Sequence, residues 1–364
     1  MAAGRALRTM PAWTWLIPAL ALALLALEHA QFVQEATPLA VLCATLLIGG
    51  VVFAAVHHAE VVALRIGEPM GSLVLAAAVT AIETSLILSV LLSSESDAPE
   101  IARDTVIAAM MIVLNGVVGL CLLVGGLRHH EQGFQVQGAT GALSVLGTLA
   151  TLAMILPNYT LAIPGPVYAP VQLAFVAVMS LALYGLFVFV QTVSHRAYFL
   201  DAEVKEAIHT APGARAAWRS AGLLVVSLAS VVLLAESLTP SLQGAVSAAG
   251  LPQACVGVVI AALTLMPEGL SAFRAARANR LQTSLNLALG SALASIGLTI
   301  PLVSLVSVSI GKSLTMGLQS EDIVLLILTL FTSTLTLATG RTTVLQGGVH
   351  MVIFAAFLIM TAVP

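Results

Sequence analysis

Apolar runs of about 17–26 residues recur along the chain, each long enough to cross a bilayer. They fall near 12–28, 38–57, 70–92, 104–127, 138–157, 167–192, 217–238, 251–273, 283–308, 321–339 and 344–363. Of the 364 residues 59% are hydrophobic and 9% charged, and mean hydropathy is +1.04. A water-facing surface needs nearer to about 25% charge, so the lipid bilayer is expected to be the solvent for most of this one. The expected fold is an all-α polytopic membrane protein of about 11 transmembrane helices. The few, scattered basic residues offer no nucleic-acid surface. Cys43, Cys121 and Cys255 sit inside apolar runs without metal-ligand or disulfide spacing and read as packing residues. Arg5 and Arg8 before Trp13–Leu27 resemble a signal peptide, but no small-x-small cleavage site follows, so a retained first helix is expected.

Lysine and arginine set the orientation. With the N-terminus in the cytoplasm, Arg5, Arg8, Arg65, Arg128, Arg196, Lys205, Arg215, Arg219, Arg274, Arg277, Arg280 and Arg341 fall inside, and only Arg103 and Lys312 outside. The C-terminus then lies on the far side. The longest connection, His195–Arg219, carries Asp201, Glu203, Lys205 and Glu206 and divides the ten helices after the first into five and five. An odd number per half inserts the halves in opposite orientation, an inverted-repeat arrangement. The expected organisation is a tail and first helix over 1–37, one five-helix repeat over 38–194, a cytoplasmic linker over 195–216 and a second repeat over 217–364.

Of the 17 acidic residues, Glu83 and Glu268 are placed within spanning segments, each in the second helix of its half. An ionised carboxylate there costs roughly 2.5–3.5 kcal/mol on insertion scales, and cation binding is the use that fits. Two carboxylates neutralise a divalent ion, and when desolvated they carry protons instead. Competition between the two is the simplest exchanger. Thr80 and Thr264 lie one turn before the glutamates. Pro267 frees a backbone carbonyl one turn upstream. Asn115 in the fourth segment and Ser291 and Ser295 in the ninth offer further oxygens, although such polar residues also serve helix packing. Glu268 lies about 9 Å along the helix from Arg274, so snorkelling toward the cytoplasm is its structural alternative. Glu60 and Glu236, matched between the halves, read as helix-end residues, and His57, His58, His129 and His130 as interfacial histidines. No resident cofactor is expected, only transported Ca²⁺, or Na⁺ or K⁺, and protons. The oligomeric state is left open.

The run from Glu60 through Glu-Pro-Met-Gly-Ser to Glu83, the stretch Gly125–Phe134, and Pro267-Glu268-Gly269 with Gly290-Ser291-Ala292-Leu293 through Pro301 resemble both repeats of cation/proton exchangers in the calcium/cation antiporter superfamily. Within it they are most similar to the ChaA-type bacterial sodium/calcium–proton antiporters. The resemblance covers roughly 38–363. It implies alternating access in a bacterial inner membrane, with Glu83 and Glu268 as the shared cation and proton site and Glu60 and Glu236 at a cytoplasmic entrance. Plant and fungal members carry Gly-Asn-Ala before each repeat glutamate; Val79-Thr80-Ala81-Ile82 and Thr264-Leu265-Met266-Pro267 stand here, which brings Na⁺ and K⁺ in beside Ca²⁺. A cation channel or proton-uncoupled transporter is the competing reading, but no filter motif is present. An intramembrane hydrolase would need a histidine at the depth of a serine, and a scaffold would leave the glutamates without a use.

Overall fold

The computed structural model describes residues 11–30, 38–67, 70–93, 100–200, 212–309 and 314–364. Eleven helices follow one another: α1 Trp13–His29, α2 Pro38–Ile66, α3 Met70–Ser93, α4 Ala102–His129, α5 Val136–Tyr159, α6 Pro170–Ser194, α7 Ala214–Ala248, α8 Ala254–Arg277, α9 Leu281–Ser309, α10 Ser320–Leu337 and α11 Val344–Ala362. Among the described residues nine of them, α2 and α4–α11, are long and apolar enough to cross a membrane. The chain is therefore an all-α polytopic membrane protein. Helices suit that solvent because they satisfy their own backbone polar groups where no water reaches. Arg5, Arg8, Lys205, Lys312 and the linker acids Asp201, Glu203 and Glu206 lie outside the described residues.

Two compact units are present, one of residues 1–96 with 205–250, the other of 97–204 with 251–364. The first holds α1, α2, α3 and α7. Its α2 and α7 pack along each other, with α3 and α1 against both. Ser220, Ser227 and Ser230 form a buried small-residue stripe on α7 that admits close helix approach. Contacts fix the directions of α1, α2 and α7. His58 Nε2 in α2 lies 3.1 Å from the Thr14 carbonyl at the start of α1, and Arg65 donates to the Pro212 carbonyl before α7 at 3.4 Å. At the other end Ser237 donates to Glu28 Oε2, at the end of α1, at 3.1 Å.

The helix ends differ from the sequence reading here. The second segment runs on to Ile66 and the seventh to Ala248, so Glu60 and Glu236 lie within long helices rather than at their ends. His58 is buried in α2, against the start of α1. α7 is about 52 Å long at 1.5 Å per residue, well beyond the ~30 Å hydrocarbon core, and Pro240 falls inside it.

The second unit holds the other seven helices, and its loops gather on two faces. On one face Gln132–Gly133 (β1), after α4, pairs antiparallel with Arg341–Thr342 (β2), before α11. There Gln132 also donates to the Ala276 carbonyl and to Asn279 Oδ1, between α8 and α9, at 2.9 and 3.0 Å. Asn286 on α9 donates to the Phe199 carbonyl after α6. On the other face Arg103 in the first turn of α4 reaches the Gly317 carbonyl, Asn158 in the last turn of α5 reaches the Leu318 carbonyl, and Gly317 N–H reaches the Pro166 carbonyl. Every helix of this unit therefore runs from one face to the other, the alternation on which the charge count rests.

Close packing of α4 on α11 is set by glycine. A Cβ on Gly347 would strike the backbone of Leu123, and one on Gly119 would meet His350 Cβ at 2.8 Å. Gly347→Leu is expected to force the two helices apart and cost about 1–3 kcal/mol, seen as a lowered melting temperature in detergent. Gly348→Leu, one residue on with open space around it, should leave the melting temperature unchanged.

Candidate functional site

Each unit carries one of the two expected glutamates. In the first, Glu83 is 3% exposed and stands near the middle of α3. Thr80, three residues earlier, is 2% exposed, and its Oγ1 has no hydrogen-bond partner among the described residues. Residues three apart share a helix face, so α3 presents a carboxylate and a hydroxyl together. Glu60 and Glu236 are in the same unit, exposed on α2 and α7. They are not brought to one entrance. Glu60 is two residues past His58, toward the start of α1, whereas Glu236 adjoins Ser237, which bonds Glu28 at the end of α1. The two carboxylates belong to opposite ends of the unit.

In the second unit Glu268 follows Pro267 inside α8. The residue is half-buried, and both carboxylate oxygens are shut off from the surface. Pro267 has no N–H, so the Leu263 carbonyl loses its helical donor. Thr264, 3% exposed, turns its hydroxyl back onto the Ile260 and Ala261 carbonyls at 3.2 and 3.0 Å. That leaves its oxygen lone pairs and a freed carbonyl one turn before the carboxylate. All are hard oxygen donors of the kind that bind Na⁺, K⁺ or Ca²⁺.

The helices around α8 are locally rewound. α4 changes to π-helical pitch over Ile112–Val117, which contains Asn115, and α9 does so over Ser295–Thr299. π turns expose carbonyls and re-aim side chains, and they concentrate at functional sites. α8 packs on α9 and on the α4 π turn, and α9 packs on that turn as well. Thr264, Glu268, Ser291, Ser295 and Asn115 thus come from three mutually packed helices. Ser291 is half-buried and Ser295 is 1% exposed.

The Asn115 side chain is engaged in a buried chain that the sequence did not announce. His350, 1% exposed within α11, donates from Nδ1 to Asn115 Oδ1 at 3.0 Å, and its Nε2 accepts from the Thr336 hydroxyl at 3.2 Å. Asn115 Nδ2 donates to Thr329 Oγ1 at 2.9 Å, whose hydroxyl turns to Met111 Sδ. Every donor meets an acceptor when the imidazole is neutral. A histidine therefore does occur buried within a spanning segment, His350, which the sequence reading did not single out. It pairs with threonine and asparagine, not with a serine nucleophile. Its signal was the polar spacing Thr329, Ser333, Thr336 on apolar α10. A second missed group is Arg103, expected in an outer loop but 3% exposed. It holds Asp104 at 2.8 Å and Glu100 at 3.0 Å, with Asp322 of α10 in electrostatic reach.

The chain matches the sodium/calcium exchanger protein family over residues 37–193 and 219–363. The chain belongs to that family. It is a transporter, not an enzyme. It is 35% identical over 311 residues to the sodium-potassium/proton antiporter ChaA of Escherichia coli, covering 84% of each chain. It is 50% identical over 358 residues to the protein y4hA of Sinorhizobium fredii, covering 98% of this chain and 97% of that one. Its fold is that of native YfkE, with a TM-score of 0.74 at 16% identity over 96% of this chain and 100% of that chain. The crystal structure of the H⁺/Ca²⁺ exchanger CAX gives 0.70 at 16% identity, over 96% and 88%.

Two substitutions separate structure from chemistry in this family member. Thr80→Val keeps the shape and removes a hydroxyl with no partner among the described residues. The melting temperature should hold or rise, while cation affinity falls by about tenfold, the value of one lost oxygen ligand of ordinary hydrogen-bond strength. Arg103→Gln leaves Asp104 buried without its counter-charge and should cost about 3–5 kcal/mol of stability. Adding Asp104→Asn should recover part of that loss in the same melting assay.

Proposed function

We propose that this transporter exchanges cytoplasmic cations for protons across a bacterial inner membrane by alternating access. A cation and protons compete for the carboxylates of Glu83 and Glu268. The observation that carries this reading is that each of these carboxylates is placed inside an apolar helix, one turn after a threonine, and walled off from the surface. A carboxylate held there gains from sharing its charge with a cation or from taking a proton. Those are the two loads of an exchanger.

Family membership supports antiport, and the names of relatives support proton coupling. ChaA is a sodium-potassium/proton antiporter, and a protein of Aphanothece halophytica, 24% identical, is a Ca²⁺/H⁺ antiporter. Hydroxyls rather than amides flank the glutamates here, which favours Na⁺ and K⁺ alongside Ca²⁺. π turns occur in α4 and α9, each the helix after a glutamate-bearing helix, and also in α5 and α6. Thr264, Ser291, Ser295 and Asn115 contribute oxygens around Glu268, and Thr80 does so beside Glu83. Glu60 serves the cytoplasmic opening and Glu236 the opposite one, in keeping with their positions at opposite ends of the first unit. The N-terminus is cytoplasmic and the C-terminus extracytoplasmic.

Proton flux in proteoliposomes on addition of Na⁺, K⁺ or Ca²⁺ tests the reading. The wild type should show cation-dependent proton movement, with the apparent KM for the cation rising as pH falls, because a carboxylate holding a proton holds no cation. Glu83→Gln and Glu268→Gln should each abolish it. Cation flux without proton movement would instead establish an uncoupled transporter or channel.

A further inference from the structure

The second unit carries a groove of about 560 Å³ between α4, α8 and α11. Its walls are apolar throughout, among them Val117 and Cys121 of α4, Ala262 and Phe273 of α8, and Phe354 and Leu358 of α11. From Val258 to Phe273 it follows α8 for about 22 Å at 1.5 Å per residue, more than one leaflet's half of the ~30 Å hydrocarbon core. It is open to the surface of the unit, since Leu120, Met266 and Leu270 on its rim are 39%, 45% and 37% exposed.

One end of the groove is cationic. The Arg277 guanidinium stands 5.8 Å above the ring of Phe273, and His129 Nε2 reaches the Arg277 carbonyl at 3.1 Å. Arg277 is four residues after Phe273, and Arg128 is seven after Cys121. Both therefore extend the groove-facing stripes of their helices. Arg128 and Arg277 are exposed, and neither has an ion-pair partner among the described residues. Positive loops alone place arginines at this face. What singles out this pair is that it caps an apolar channel of acyl-chain length.

We propose that this groove binds an anionic phospholipid, with an acyl chain along α8 and the headgroup phosphate on Arg277 and Arg128. Guanidinium groups suit phosphate because their N–H donors match its oxygens in pairs, and basic pockets between transmembrane helices take such headgroups. Met266 and Gly269 line the groove on either side of Glu268, and Gly116 lines it next to Asn115. Bound lipid therefore braces the stretch of α8 that carries the carboxylate. This last point rests on the proposed exchange site; the lipid site itself does not.

The experiment is native mass spectrometry of the full-length protein equilibrated with mixed phosphatidylglycerol and phosphatidylcholine. The wild type should retain phosphatidylglycerol in preference. Arg277→Gln, which removes the headgroup charge, and Ala262→Phe, which fills the groove from an exposed position, should each weaken retention by about tenfold. Arg196→Gln, on the same face but away from the groove, should not. Excess inorganic phosphate should fail to displace the lipid, because the acyl chain carries part of the binding. Equal retention of both lipids, equal loss in Arg277→Gln and Arg196→Gln, undiminished binding in Ala262→Phe, or displacement by phosphate would each overturn the proposal. Because the readout is lipid retention, it stands or falls apart from proton flux.

Discussion

Hydrocarbon offers a carboxylate no water, and that single deficit organises this chain. In α3 the deficit is met beside a buried threonine hydroxyl on the same face. In α8 it is met where proline interrupts the hydrogen-bond ladder and a threonine folds its hydroxyl back. Neighbouring helices answer with π turns. Asn115 and Ser295 sit in such turns, whereas the buried Thr329, Thr336 and His350 lie in regular helix.

Around those departures the second unit is built stiffly. Glycines let α4 and α11 touch backbone to backbone, and the chain from Thr336 through His350 and Asn115 to Thr329 joins three helices across their buried faces. Arg103 ties the first turn of α4 to the loop before α10. Such a frame holds α8 against fixed neighbours on several sides while Pro267 leaves one turn of α8 itself less tightly bonded. α8 therefore combines close packing on its neighbours with one missing backbone hydrogen bond at the turn before Glu268.

Much of this was legible from the residues. The absence of charge announced the bilayer, the loop arginines gave the alternation that the loop contacts of the second unit reproduce, and the two glutamates stood out against an apolar background. The ends of α2 and α7 were not legible. Glu60, His57, His58 and Glu236 look like residues that meet water, yet the helices continue past them, because helix propagation is cheap once begun. Arg103 and His350 escaped for another reason. A polar residue near a segment end reads as interfacial unless its partners are known, and the partners, Gly317 and Asn115, lie 214 and 235 residues away.

Those separations bear on how the molecule comes into being. Asn115 enters the membrane long before Thr329 or His350 has been synthesised, and β1 waits for β2 across most of the chain. During that interval the Asn115 amide has Met111 of its own helix but neither Thr329 nor His350 beside it. Arg103 is better provided, because Asp104 is adjacent in sequence and accompanies it from the start. The early helices must therefore dwell in the bilayer as an unfinished assembly, sheltered by the insertion machinery or by provisional contacts, until the last hairpin arrives and closes the unit.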